Sequence, residues 1–310
     1  MPRKKMIDAD SAIAKNVNAV RRHYDWLFAR LDRGKSYEAA GWGRRPPMVN
    51  MGYWTRGATT DREAHEQLVH ELACRVSSLR GRRVLDAGCG LAGPAALLAC
   101  DYGAQIDGIN IVEQQLRWAR QYIEGNGLGD KIHVYVASAM DMPFVNELFD
   151  VVFSLEAAHC FLDKRRFLEE ARRVLRPGGT LLLADITATT HLALTRWQPA
   201  LKLNLVTAAD WRRMIEDVGF TIEQTEMIGH AVYPGCLRWS ARIAGERRRA
   251  MVVNRSPRAG GSVLGRRLKM MQAWILELLL YRTFFATMIR LRLREYVLVV
   301  ARKPEAPILR

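Results

Sequence analysis

The stretch SLEAAHCF, residues 154–161, sets one histidine between two different sequence patterns. A short apolar run, FDVVF, precedes it, and a charged helical pattern, DKRRFLEEARRVL, follows. An imidazole titrates near neutrality, so His159 at the end of a buried strand is a candidate general base. A second stretch, VLDAGCGLAG over residues 84–93, ends an apolar strand in glycines and then opens a helix. Glycines there let the backbone turn sharply and approach a ligand without interference from Cβ. At the C-terminal edge of a parallel sheet such a crevice binds ligands. The run GCGLAG also meets the GxGxxG spacing of dinucleotide folds, so spacing alone does not choose the ligand.

These residues need elements to position them. From Arg82 onward, short apolar strands alternate with amphipathic helices. RRVLDAG, AQIDGINI, KIHVYVA, FDVVFSL and TLLLADI read as strands. Between them, GPAALLACDYG, EQQLRWARQYIEGNG and DKRRFLEEARRVLRPGG read as helices, the last closed by Pro-Gly-Gly. AADWRRMIEDVGF adds a helix, TIEQTEMIGH a sixth strand and REYVLVVARK a last one. That alternation predicts an α/β protein with a mostly parallel sheet covered on both faces. Upstream, helices are expected over about 8–31 and 61–79, joined by the irregular connector GWGRRPPMVNMGYWTRG.

Between the last two strands lies an insertion with a basic segment, ARIAGERRRAMVVNRSPRAGG, and then an apolar helical one flanked by arginines. A helix apolar over most of its circumference must be buried in something. A cap on the sheet domain, a lid over a greasy substrate and a basic helix on a membrane surface through 262–295 all remain open. The expected organisation is a helical N-terminal lid segment (1–80), a core (81–230), a helical cap (231–293) and the final core strand with its tail (294–310).

Composition narrows the partners. The chain has 310 residues, 49% hydrophobic and 25% charged, which fits an ordinary globular protein. The net charge of +15 raises nucleic acid as a partner, but the basic residues are widely spread and no zinc-finger or RNA-binding signature accompanies them. A small-molecule acceptor is therefore expected rather than nucleic acid, and a homodimer is left open. The five cysteines (Cys74, Cys89, Cys100, Cys160 and Cys236) are scattered, with no CxxC pair and no metal-ligand spacing. No metal is expected, and a cytoplasmic location is the expectation, given no signal-peptide pattern and no long charge-free apolar run.

The motifs together resemble class I S-adenosylmethionine-dependent methyltransferases, in which the first strand often ends in DxGCGxG. Here Ala92 stands at the last glycine of that pattern, with Gly93 just after it. MPF, FDVVFS and RVLRPGGTLLLADI occur in the family's order, and the resemblance covers about residues 51–187 and the final strand. It implies a Rossmann-like seven-stranded sheet with the last strand antiparallel, and S-adenosylmethionine as cofactor. By resemblance, Gly88, Cys89 and Gly90 line its methionine part, and Asp86 braces the loop. Asn110 and Gln115 match the residues that share the ribose, with Ile111 against the adenine. Ser138 replaces the usual aspartate of that segment, while Ala139 and Met140 still offer backbone and apolar surface to the base. Tyr53, in NMGYW, matches a tyrosine folded over the cofactor's carboxylate end. Ser154, at the end of the fourth strand, is a further cofactor candidate.

SLEAAHCF occupies the family's fourth motif, facing the reactive methyl. The arrangement ExxHxF resembles bacterial natural-product O-methyltransferases of sugars and polyketides. In that group such a histidine works with an aspartate at the end of strand five, the position of Asp185 in LLLADI. Glu156 carries the rival chemistry. A glutamate there also resembles C-methyltransferases of sterols and prenyl diphosphates, where a carboxylate stabilises or deprotonates a carbocation.

Overall fold

The computed structural model describes residues 50–190, 204–238 and 294–305, together with Asn18, residues 20–22, Met48 and Thr287. The helix expected over 8–31, apart from helical Asn18 and residues 20–22, lies outside the described residues, as does most of the insertion.

Helix α1 (Asp61–Ala73) starts from a capping box: the Glu63 N–H donates to the Thr60 hydroxyl, and the Thr60 N–H donates back to Glu63. Strand β1 (Arg83–Ala87) leads into α2 (Gly93–Asp101), β2 (Gln105–Asn110) into α3 (Glu113–Gly125), and β3 (Ile132–Val136) is followed by β4 (Phe149–Leu155). A single 3₁₀ turn (Ala158–Cys160) then precedes α4 (Lys164–Val174), which passes directly into β5 (Leu175–Ala188). The expected Pro-Gly-Gly stop therefore falls inside the strand rather than after the helix. Leu175 already pairs with Phe149, and a register shift absorbs the tripeptide before Thr180 pairs with Val151. Helix α5 (Ala208–Asp217), β6 (Thr221–Met227), a helical stretch at 229–238 and β7 (Arg294–Arg302) complete the order. Because β7 begins at Arg294, the last two residues of the expected 262–295 helix are strand.

The seven strands form one sheet in the order β3-β2-β1-β4-β5-β7-β6, parallel except for β7, which runs antiparallel to both β5 and β6. Both faces are covered, so β1, β4, β5 and β7 read as nearly continuous apolar runs. One face packs on α1, α2 and the 229–238 stretch through Leu68, Leu72, Leu98, Val232 and Tyr233. The other packs on α4 and α5 through Phe167, Leu168, Trp211 and Ile215. Phe149 and Phe167 are fully buried there, each contributing about 1.5–3 kcal/mol over the exposed state. No helix among the described residues is long and apolar enough to cross a membrane.

This arrangement brings the C-terminal ends of β1, β2, β4 and β5 to one edge. Leu155 pairs with Ala184, so the chain leaves β4 beside Asp185.

Candidate functional site

The glycine turn after β1 hangs on one acceptor. The N–H groups of Gly88 and Cys89 both donate to the Ile109 carbonyl, at 2.9 and 3.0 Å. Gly88 has φ +95°, and a Cβ there would lie 2.3 Å from the Cβ of Ala157. The turn thus packs against the segment that carries His159. Gly90 has open space where a Cβ would stand, so the loop presents bare backbone at that point. Ala92, at the glycine position of the family pattern, adopts the left-handed conformation with φ 61° at a cost of roughly 1–2 kcal/mol. Cys89 is buried, and it fits because Gly108 on β2 lacks a side chain: a Cβ there would meet its Sγ at 2.9 Å.

Asp86, expected by resemblance to brace this loop, is the second-last residue of β1. Its side chain is buried and Oδ2 has no hydrogen-bond partner, and burial pushes its pKa up to about 7. A buried carboxylate left so is costly until a cationic or donor group completes it.

At the end of β2, Asn110 and Gln115 come together: the Asn110 amide donates to Gln115 Oε1 at 2.6 Å. Gln115 belongs to the first turn of α3, and Ile111, partly buried, lies between the pair in sequence. After β3, the Ser138 hydroxyl accepts from the Met140 N–H at 3.1 Å, closing a tight turn. Ala139 and Met140 are buried, and the Met140 sulfur accepts from the Asp163 N–H. Ser154 differs from the sequence expectation. It is fully buried, and its hydroxyl donates to the Ala87 carbonyl at 3.1 Å, tying β4 to β1 inside the sheet. It has no surface left for a ligand. Tyr53 is partly buried against the sheet's α1 face, its N–H donating to the Ala64 carbonyl at 2.8 Å. Trp54 packs over Gly235, where a Cβ would lie 1.9 Å from its ring.

The His159 side is the most tightly bonded part of this edge. The His159 backbone N–H donates to Asp185 Oδ2 at 2.5 Å, and its Nδ1 lies 2.7 Å from Oδ1. Asp185 is fully buried and also accepts from the Ile186 N–H at 2.7 Å. A carboxylate that accepts at Nδ1 fixes the proton there, which leaves Nε2 as the basic nitrogen of the neutral ring. Burial pulls the imidazole pKa down, but the Cys160 thiol and the Asp185 carboxylate outweigh it, and the pKa lies well above 6.5.

Glu156 leaves β4 in the left-handed conformation, φ 50°, and its N–H donates to the Ala184 carbonyl. Its Oε1 accepts from the Met51 N–H at 2.7 Å and from the Tyr296 hydroxyl at 3.0 Å. Burial pushes its pKa up to about 7; the Met51 hydrogen bond, the charge of His159 and the Tyr296 hydroxyl oppose that rise, and Asp185 adds to it. The carboxylate thus ties the segment before α1 to β4 and β7.

Three partners at this edge carry no signal in the sequence. Tyr296 sits in an apolar strand pattern and reads as core, which it also is. Lys164 reads as one more charge on a solvated helix, yet it is 4% exposed. Asn204 lies in a stretch with no periodicity at all. Each acquires its role from a strand or loop distant in sequence.

Residues 85–183 match the family described as a methyltransferase domain. O-methyltransferase cnsE of Penicillium expansum is 31% identical over 194 residues, 61% of this chain and 70% of that protein. The 27-O-demethylrifamycin SV methyltransferase of Amycolatopsis mediterranei is 29% identical over 70% of this chain and 84% of its own. Other curated relatives are spanned over only 50% and 63% of their length. Among solved structures, the [4+2]-cyclase SpnF superposes with a TM-score of 0.71 at 23% identity, over 93% of this chain and 96% of that one. Geranyl diphosphate methyltransferase superposes with a TM-score of 0.68 at 14% identity, over 93% and 99%. These last two are likenesses of the fold alone. The sequence match and the glycine turn at the edge of this seven-stranded sheet lead to one assignment: the chain belongs to the class I S-adenosylmethionine-dependent methyltransferases, with S-adenosylmethionine as its cofactor.

Proposed function

We propose that the chain methylates a hydroxyl of a small natural-product acceptor, with His159 as general base and Asp185 as the group that orients it. The observation that carries this reading is the double contact of Asp185 with His159, one carboxylate oxygen on the backbone N–H and the other on Nδ1. A base must present one nitrogen in one tautomer, and this geometry does that. With the donor bound, Nε2 would take the hydroxyl proton as the C–O bond forms and the donor's C–S bond breaks, its sulfur leaving as a neutral thioether, and Asp185 would stabilise the resulting imidazolium. Relatives named as O-methyltransferases, including those of rifamycin SV and erythromycin, support oxygen as the methylated atom.

The described residues fit the cofactor's parts. The Asp86 Oδ2, which has no hydrogen-bond partner within the protein, suits the ammonium of the methionine portion. The bare backbone of Gly88 and Gly90 allows close approach, and the Asn110–Gln115 amide pair suits the ribose hydroxyls. Ile111, Ala139 and Met140 supply apolar surface for the base, and Tyr53 covers the carboxylate end. When bound, S-adenosylmethionine supplies an electrophilic methyl on a sulfonium. The chain's own contribution is orientation, exclusion of water and proton removal.

A second reading places carbon methylation on Glu156, whose carboxyl pKa near 7 suits proton exchange. The sterol 24-C-methyltransferase ERG6B of Gibberella zeae, 36% identical over 43% of its length, gives it support. Against it, Oε1 of Glu156 is already committed to Met51 and Tyr296. The test is a panel of hydroxylated polyketides, sugars and isoprenoids incubated with a trideuteromethyl donor, followed by NMR of the product. A label on oxygen supports the proposal; a label on carbon replaces it with the Glu156 reading.

A further inference from the structure

We propose that Lys164 and Asn204 are positioning residues for His159, holding the turn that presents it. This rests on the reading of His159 as the base. Lys164, the first residue of α4, is almost fully buried, and its ammonium donates to the carbonyls of Phe161, at 3.0 Å, and Asn204. Asn204 donates its backbone N–H to the His159 carbonyl at 2.7 Å, and its side-chain amide to the Phe161 and Leu162 carbonyls at 2.7 and 2.6 Å. Three of the four carbonyls over residues 159–162 are therefore held by these two side chains and one amide. Within the turn itself, only the Cys160 and Phe161 N–H groups bond back, to Ala157 and Ala158. A one-turn helix with so few internal bonds does not hold a side chain by itself.

The choice of a lysine is informative. A buried ammonium is expensive, and neutral donors would satisfy the same carbonyls at less cost. Among the described residues no carboxylate makes an ion pair with Lys164; its ring neighbour is Trp211, with Nζ 5.7 Å from the ring centroid. The charged and titratable groups around the pair are Glu156 after β4, Cys160 in the turn, Asp163 at the cap of α4, Asp185 on β5 and Tyr296 on β7. The Lys164 charge acts on Asp185 at longer range, and so competes with His159 for that carboxylate. Burial lowers the Lys164 pKa to about 8, against Asp185, Cys160 and Asp163, so it remains largely charged at neutral pH. With Lys164 charged, Asp185 holds the imidazolium less firmly, and the ring gives up its proton more readily.

The experiment uses the full chain without acceptor. Histidine resonances are titrated by NMR in wild type, K164Q and N204A, with H159A assigning the His159 signal. Lys164→Gln keeps a donor but removes the charge, and should move the His159 titration up by roughly half a unit or more. Asn204→Ala should leave that titration in place while speeding hydrogen exchange at the Cys160 and Phe161 amides at least tenfold. S-adenosylhomocysteine affinity should stay within threefold in both. A His159 titration unmoved in K164Q, or unchanged exchange in N204A, overturns the inference while leaving the base assignment intact. An H159A enzyme with full turnover removes the base assignment, independently of where the ring titrates.

Discussion

Replacing Gly88 by alanine adds one methyl group at the point where the glycine turn touches the His159 segment. Two costs arise from different causes. At φ +95° an L-residue pays roughly 1–2 kcal/mol of backbone strain. The new Cβ would also stand 2.3 Å from the Ala157 Cβ, where carbon atoms settle at about 3.5–4.0 Å. Both partners are short and rigid, so the turns must part by more than 1 Å, at a further cost of about 1–3 kcal/mol. The total, about 2–5 kcal/mol, falls on the cofactor loop and on the base at once. Gly90→Ala is the control for unfolding: φ is +54°, but no protein atom lies within 4 Å of the added atom, so in the cofactor-free chain the strain alone remains. Thermal unfolding of the cofactor-free chain separates the two variants, and calorimetric titration with S-adenosylhomocysteine reads the binding cost in Gly88→Ala. Gly88→Ala should unfold several degrees lower and lose at least roughly thirtyfold in affinity, since about 2 kcal/mol, the low end of that cost, corresponds to a factor of about thirty in Kd. Gly88→Ala binding within threefold of wild type, with unchanged unfolding, would refute the close packing on which the site rests.

Three further outcomes follow from the same geometry. Asp185→Asn removes one of the two groups, with Cys160, that raise the His159 pKa, so the acid limb of the kcat/KM profile moves to lower pH while the plateau falls; a limb that stays put removes Asp185 from the pair. The linked stability follows the same sign. The His159 pKa is raised on folding, so the pair's contribution is full below about 6.5 and fades as pH rises through the folded value. Denaturant titrations across that window should show this loss in wild type and a smaller one in Asp185→Asn, where Cys160 still acts on the ring. Ser154→Ala should cost about 1–2 kcal/mol and leave S-adenosylhomocysteine affinity unchanged; a fall in affinity would return Ser154 to the cofactor site.

Much of the fold is legible in the sequence because its signals are local. Strand–helix alternation, the glycine turn and the apolar runs of a twice-covered sheet are all written in contiguous residues. The Asn110–Gln115 pair is accessible too, because a strand end and the next helix's first turn are neighbours in sequence. Ser154 misleads because position at a strand end does not reveal which side of the sheet a hydroxyl meets. The Pro-Gly-Gly run looks like a helix stop, yet pairing with β4 has already begun at Leu175. Lys164, Asn204 and Tyr296 depend on pairings across 40, 43 and 140 residues, which no periodicity encodes.

That His159, not Glu156, removes the acceptor proton is tested most directly by single-turnover methyl transfer. Wild type, H159A and E156Q are compared with one acceptor and saturating donor. The Glu156→Gln side chain keeps an acceptor oxygen for Met51 and Tyr296, so that variant retains its fold. The prediction is a loss of roughly 10²–10⁴-fold in H159A and less than tenfold in E156Q. An active H159A beside an inactive E156Q would contradict it.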